Sequence, residues 1–485
     1  MLDPFFEVSI TDLNAVGDGE ADDTDAFEQA IHLIQQNGGG RLVIAGLTPA
    51  SLSHFRIRPL NLTSHLILHV AANVTISAIA DENRWPLIPP LPSYGQGRDH
   101  PGFRFTSVFH GEHLTNVTME GSSTTTSILD GQGEYWWKQR REGTDKHTRG
   151  HLIEFMYSSD IRIRNLRLLD SPFWTNHFYD CDNVHVQNVH IYADNYNSRN
   201  TDGWDPDSSR NVLIEDSSYH GGDDCVAIKS GWDCYGLDYG KPSVNITIRN
   251  VTCDGRFAGI AIGTEMSGGV ENVTVENVFF TQANSLAKIK TGNTRGGYVR
   301  DISYRNLTAV GELTKFPLHI DMYHYHNQPN PACGDDWRPP NLPVIRGISY
   351  KDIDGMNATI TANETFHFIG MSDSPIQNVR LENVHLPSNT NGAPAWNCTA
   401  VSGTVVNGSV EPWPPCHQMD IIDPPQQSSS STTTHHRMGM IPSFPADAEA
   451  LIYVCVLGIL VLVTAFALRR KHHSTSYRRV AVHEP

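Results

Sequence analysis

The chain has 485 residues, with 36 basic and 53 acidic side chains giving a formal net charge of -17, and 39% of it is hydrophobic. That length supports a sizeable core, the composition excludes a collagen-like or disordered chain, and the acidic balance excludes a non-specific nucleic-acid binder. The charge is uneven, because residues 469–485 carry Arg469, Arg470, Lys471, Arg478 and Arg479 against Glu484 alone.

The N-terminal stretch MLDPFFEVSITDLNAVGDG has no basic region and no apolar run of signal-peptide length. A helix follows. Asp22, Asp23 and Thr24 offer caps, and Phe27, Ala30, Ile31 and Ile34 fall on one face at i, i+3, i+4 and i+7. Gly38, Gly39 and Gly40 end it. The pattern then changes to short alternating strands, FRIRP, LILHV and VTISAI.

From residue 160 the chain repeats one phrase: IRIRNLRLL, VHVQNVHIY, VLIEDSSYH, ITIRNVTCD, VTVENVFFT and IQNVRLENVHL. A polar residue closes each short strand, at Asn165, Asn188, Asp216, Asn250, Asn277, Asn306, Asp352 and Asn383. A strand–turn phrase recurring at this spacing predicts a solenoid whose coils form parallel sheets, with turn asparagines stacked and hydrogen-bonded along the ladder. The N-terminal helix is then expected to cap the open first coil. The segment HYHNQPNPACGDDWRPPN, residues 324–341, is expected to be a loop on one face.

Two segments depart from the phrase. NSRNTDGWDPDSS, residues 197–209, holds Asp202, Asp205 and Asp207; HGGDDCVAIKSG, residues 220–231, holds Asp223 and Asp224. The separation of Asp202 from Asp223 is close to one solenoid turn, so the two loops are expected to stack about 5 Å apart. Crowded carboxylates raise one another's pKa, and a protonated acid beside an ionised base is what glycoside hydrolysis needs. Two other readings stay open: calcium held by Asp202, Asp223 and Asp224, or turn caps, the reading favoured for Asp205 and Asp207. Downstream, Lys288 and Lys290 alternate within LAKIKTG and project to one side of a strand. Cations outside an otherwise acidic protein suit a substrate that carries negative charge.

Seven cysteines lie before residue 450, so at least one is unpaired; Cys398–Cys416 and Cys234–Cys253 are the expected short loops. Ten asparagines sit in N-x-S/T, a weak vote for an exported chain. PPQQSSSSTTTHH marks residues 423–449 as a stalk, and ALIYVCVLGILVLVTAFAL, residues 450–468, has the length and composition of a transmembrane helix closed by a basic tail at 469–485. By the positive-inside rule, residues 1–422 are expected to be a single-pass protein's extracellular or lumenal domain. An export leader is then expected to be missing from this sequence, the alternative being a tail-anchored cytosolic domain.

The motifs NTDG at 200–203, GDD at 222–224, IKTG at 289–292 and the opening AVGDGEADDTDAFEQAI resemble glycoside hydrolase family 28, the polygalacturonase family, over about residues 12–400. The resemblance implies an all-β, single-stranded, right-handed parallel β-helix of the pectin-lyase-like kind. It implies hydrolysis of α-1,4-linked galacturonan with inversion, Asp223 as general acid, Asp202 and Asp224 activating water, and Lys290, with Lys288 and Asn200, holding substrate. No cofactor or metal is called for, and the expected partner is an acidic pectic polysaccharide or oligogalacturonide met by a membrane-anchored monomer. Two positions depart: Ala258 stands where the family has histidine, and Lys288 where it has arginine, which loses a bidentate fork. The phrases SGWDCYGLDYGKPS and GIAIGTEMSGGVENVTVENV resemble a plant and microbial branch near the exo-acting and rhamnogalacturonan-related members, whose third block also lacks the histidine. Rhamnogalacturonan or another uronic-acid glycan as substrate, a non-catalytic pectin-binding surface protein and a lyase are the alternatives.

Overall fold

The computed structural model describes residues 6–46, 52–361, 364–388, 394–413 and 415–424, within a compact unit that ends at Pro424. Strands of two to sixteen residues wind into a right-handed parallel β-helix. One wall is an 11-stranded parallel sheet that includes Ile153–Met156, Asn176–Tyr179, Trp204–Asp207, Val226–Ile228, Ala258–Ile262, Ser285–Lys290 and Leu318–Asp321. The repeated phrases make up the other, 23-stranded sheet.

The repeat is explained by one backbone requirement. All eight polar positions, from Asn165 to Asn383, have φ between 51° and 56°. An L-residue in this left-handed region loses about 1–2 kcal/mol, and asparagine and aspartate tolerate it best. The side chains then bond along the ladder: Asn188 donates to Asn165 at 2.8 Å, Asn277 to Asn250 at 3.1 Å and Asn306 to Asn277 at 2.7 Å. Between turns, alternate residues point inward. Ile161, Ile163, Leu166 and Leu168 are buried, as are Val273, Val275 and Val278. Five N-x-S/T asparagines, Asn73, Asn116, Asn245, Asn272 and Asn306, occupy left-handed turns, so part of the sequon excess is the grammar of the repeat.

The expected capping helix, α1 (Thr24–Gln36), buries Phe27, Ala30, Ile31 and Ile34, and Phe27 meets Phe55 edge-on at 5.9 Å. Its cap differs from expectation. Asp23 takes the cap position without capping, because its carboxylate accepts the Val16 and Gly17 N–H groups and ties the preceding loop. Two further helices, α2 (Gly133–Glu142) and α3 (Asp233–Tyr239), lie in the connections between coils.

Cys398–Cys416 pairs as expected, but Cys234–Cys253 does not form. Cys253 is buried and forms a disulfide with Cys225 on the preceding coil, whereas Cys234, on α3, pairs with Cys333 in the 324–341 loop. Cys181 remains a free buried thiol, and burial pushes its pKa up to about 12. The membrane-spanning helix, and with it the membrane anchor and the single-pass localisation, are corrected. No helix among the described residues is long and apolar enough to cross a membrane, and residues 450–468 lie outside the described residues.

The ladder yields a test. Asn277→Ala removes two side-chain hydrogen bonds and leaves a β-carbon at φ 56°, and should lower stability by about 1–2 kcal/mol. Asn277→Gly, free of the backbone penalty, should lose less. Urea unfolding midpoints of the two variants check this order.

Candidate active site

Trp204 pairs with Val226 across adjacent coils, so Asp202 and Asp224, each two residues earlier, stand at equivalent positions one coil apart. Asp223 precedes Asp224 in the same turn. The three carboxylates have oxygens within 4.8 Å of one another. Glycine permits this stacking: a β-carbon on Gly222 would lie 2.3 Å from the Ser198 carbonyl, and one on Gly203 would lie 2.5 Å from that of Cys225. Tyr219, buried beneath the turn, accepts the Asp223 N–H at 3.1 Å and donates to the Thr201 carbonyl at 3.1 Å.

Each carboxylate has different company. Asp224 accepts Lys290 Nζ at 3.0 Å and the Ala258 N–H at 2.9 Å. Burial pushes its pKa up, but the charges of Lys290 and Lys288 outweigh burial and hold it below the usual carboxylate value. Asp223 pairs with no ammonium among the described residues. It accepts the Asn200 N–H at 3.1 Å and the Asp224 N–H at 2.9 Å, while burial, then the charges of Asp202 and Asp224, push it up to about 8. Asp202 lies 3.4 Å from Lys229 Nζ; its pKa is raised, by burial first and by Asp224, against the pull of Lys229. At neutral pH the set therefore holds a neutral acid, Asp223, beside an ionised Asp224.

Lys288 and Lys290 share one side of their strand, and both line the cleft with the aspartates, in a space of about 250 Å³. Lys290 has its pKa raised, burial being outweighed by Asp224, and stays charged. Lys288 is brought down to about 8 by burial and by the neighbouring Lys290. Asn200 sits in the same cleft with φ 62°, its Oδ1 accepting from Arg149 at 2.9 Å. All six singled-out residues are thus brought together. Ala258 is also placed here, packed on Asp224 through its backbone rather than offering an imidazole.

Asp205 and Asp207 are not turn caps. Both lie in the strand Trp204–Asp207, buried. Asp205 pairs with Lys229 at 3.3 Å, and Asp207 accepts from Tyr94 and His177. Sequence reasoning missed Lys229, which bridges Asp202 and Asp205, lies 4.3 Å above the Trp174 ring and has its pKa raised by both carboxylates against burial. Also missed were Glu265, paired with Arg98 at 2.9 Å, and Lys315 and His324 on the cleft wall. Lys229 stands five residues after Asp224 in GDDCVAIKSG, a signal that was present in the motif; Lys315 and His324 had none. As for calcium, two ammonium groups already bond the outer carboxylates, and the positive charge that a cation would bring is in place.

The family model for glycosyl hydrolases family 28 matches residues 57–409. A probable polygalacturonase of Vitis vinifera is 38% identical over 412 residues, 84% of this chain and 79% of that one. A polygalacturonase of Prunus persica is 31% identical over 63% of this chain and 71% of its own. Among solved structures, a hyperthermoactive exopolygalacturonase from Thermotoga maritima superposes with a TM-score of 0.65 at 24% identity, covering 82% of this chain and 88% of that one. The polygalacturonase from Erwinia carotovora does so at 0.63 and 23%, covering 80% and 94%.

Lys229 supplies the test of this geometry. Lys229→Met leaves Asp202 and Asp205 buried without their ammonium and is expected to cost about 3–5 kcal/mol of stability. Denaturant unfolding of the variant measures it.

Proposed function

The chain belongs to glycosyl hydrolase family 28, and from that premise we propose that it hydrolyses galacturonan, the α-1,4-linked galacturonic acid backbone of pectin, with the three aspartates as its chemical apparatus. The observation that carries the reading is the split within the carboxylate set: Asp223 is raised to about 8 while Asp224, one residue on, is held low by two lysines. Asp223 is the general acid, delivering its proton to the glycosidic oxygen as the bond breaks. Asp224 and Asp202 take the proton of a water as it attacks the anomeric carbon. Oxygens within 4.8 Å of one another can both hydrogen-bond one water, since two such bonds span up to about 5.5 Å. These oxygens are closer than the roughly 6.5–9.5 Å usual for an inverting pair, so inversion rests on the water held by both Asp202 and Asp224 being the attacking group.

Lys290 and Lys288 hold the uronic carboxylate, and the bond from Lys290 to Asp224 keeps the base ionised until substrate arrives. Asn200 fixes the acid: its backbone donates to Asp223 while its side chain is held by Arg149. A lysine in place of arginine at 288 gives a point charge rather than a fork, which relaxes the orientation demanded of the carboxylate. Lyase chemistry would need a base to remove a ring proton, and a neutral Asp223 next to the cleaved bond favours hydrolysis over it.

Asp223→Asn should lower kcat by about 10²–10⁴-fold on polygalacturonate, with binding retained; unchanged turnover would refute the assignment of the acid. Wild-type kcat should fall as pH rises through about 8, where Asp223 loses its proton, and fall again on the acid side as Asp202 and Asp224 take one up. A bell-shaped profile of kcat, with the alkaline limb absent in Asp223→Asn, checks the sign, while loss of the Lys288 charge near 8 shows as a rise in KM. Proton NMR of the first-formed product should show the β-anomer.

A further inference from the structure

The cleft floor is the outer face of the 11-stranded sheet, and its equivalent positions run His110, Glu154, His177, Asp205, Ala227, Ala261, Lys288 and His319 along the register. On an open floor, polar side chains pointing away from the solenoid interior would meet solvent. They do not on either side of Asp205, since Lys288 is 4% and His319 1% exposed; the coils before Asp205 differ in what covers them. Glu154 and His177 are 0% exposed and His110 is 6%. Glu154 is held by Arg104 at 2.9 Å and by His177 at 2.9 Å, so this part of the floor is a sealed polar network.

What seals it is a second apolar cluster, outside the solenoid. Leu91, Tyr94, Phe173, Trp174 and Tyr179 form it, with Trp232 and Tyr239 packed against it. Residues 79–104, inserted between two coils, supply Leu91 and Tyr94. This roof is fastened to the catalytic coils themselves. Tyr94 donates to Asp207 at 2.6 Å, Arg98 pairs with Glu265 at 2.9 Å, and Arg149 joins Asp99 at 3.2 Å to Asn200 at 2.9 Å. The 324–341 loop buttresses it, through Asn330 donating to the Tyr94 carbonyl at 2.9 Å and through Cys234–Cys333.

Trp174 is the buried member of this cluster that also lines the cleft. Asn176 pairs with Trp204, which puts Trp174 one coil before Asp202, and adjacent coils are about 4.8 Å apart, about the length of one pyranose ring. On the other side of the aspartates the cleft continues past Lys290 and Lys288 to Lys315 and His324.

We infer that the cleft is a dead end with room for a single sugar residue beyond the scissile bond, so that the enzyme removes one terminal galacturonic acid at a time and does not cut within a chain. A polymer bound through its carboxylates at Lys288 and Lys290 cannot thread past Trp174, and only its end can bring a linkage to Asp223. The inference rests on the hydrolase reading above, which allows cleavage at either place.

The experiment follows viscosity and reducing ends in the same digest of polygalacturonate by the full chain, with chromatography of early products from a defined oligogalacturonide. Reducing ends that accumulate at nearly constant viscosity, with galacturonic acid monomer as the early product, are expected. An early collapse of viscosity with a ladder of oligomers would overturn the dead end and leave the hydrolase reading standing. No reducing ends at all would instead overturn that reading, and this inference with it.

Discussion

In this solenoid every side chain meets its equivalent on the next coil about 4.8 Å away. In most positions that spacing is used for like-with-like stacking of valine, isoleucine or asparagine, which is favourable. At one place it sets Asp202 over Asp224, where like-with-like stacking is unfavourable. The lysines 229 and 290 answer Asp202 and Asp224, and Asp223, beside them, is left to carry a proton. The chemistry of the site is thus a consequence of coil stacking applied to charge.

The same spacing resolves the contrast between a net charge of -17 and a polyanionic substrate. The overall field of the chain repels pectin, and attraction at a Debye length of about 8 Å must be local. Lys288, Lys290 and Lys315 provide it within one cleft. Lys290 has a double task, since the cation that draws the substrate carboxylate is also the one that keeps Asp224 ionised.

Around this centre the fold contributes two different kinds of rigidity. The solenoid fixes the floor through backbone ladders that run coil to coil. The roof is built from segments far apart in the chain, residues 79–104, α3 and the 324–341 loop, joined by Cys234–Cys333 and by buried ion pairs such as Arg295–Asp233 at 2.6 Å. The floor carries the catalytic groups and the roof decides how much sugar chain reaches them.

Much of this was legible in the sequence. The phrase closing on Asn165, Asn188 or Asn277 spelled out parallel coils, because a left-handed turn restricts residue choice so strongly that it prints itself on the chain. Asp202, Asp223, Asp224, Asn200, Lys288 and Lys290 could be found because they interrupt that phrase. What depends on contacts between distant segments left no such print. Cys234 could not be assigned to Cys333 from spacing, Asp205 and Asp207 were read as turn caps rather than as the anchors of Lys229 and Tyr94, and the roof over His177 was not foreseen. The sequence by itself determined the coil, its capping helix and the cluster of acids, since these follow from local backbone preference and periodicity. Only the tertiary structure decided which acid keeps its proton and where the cleft stops, because both depend on which distant cations and rings are brought within a few ångströms.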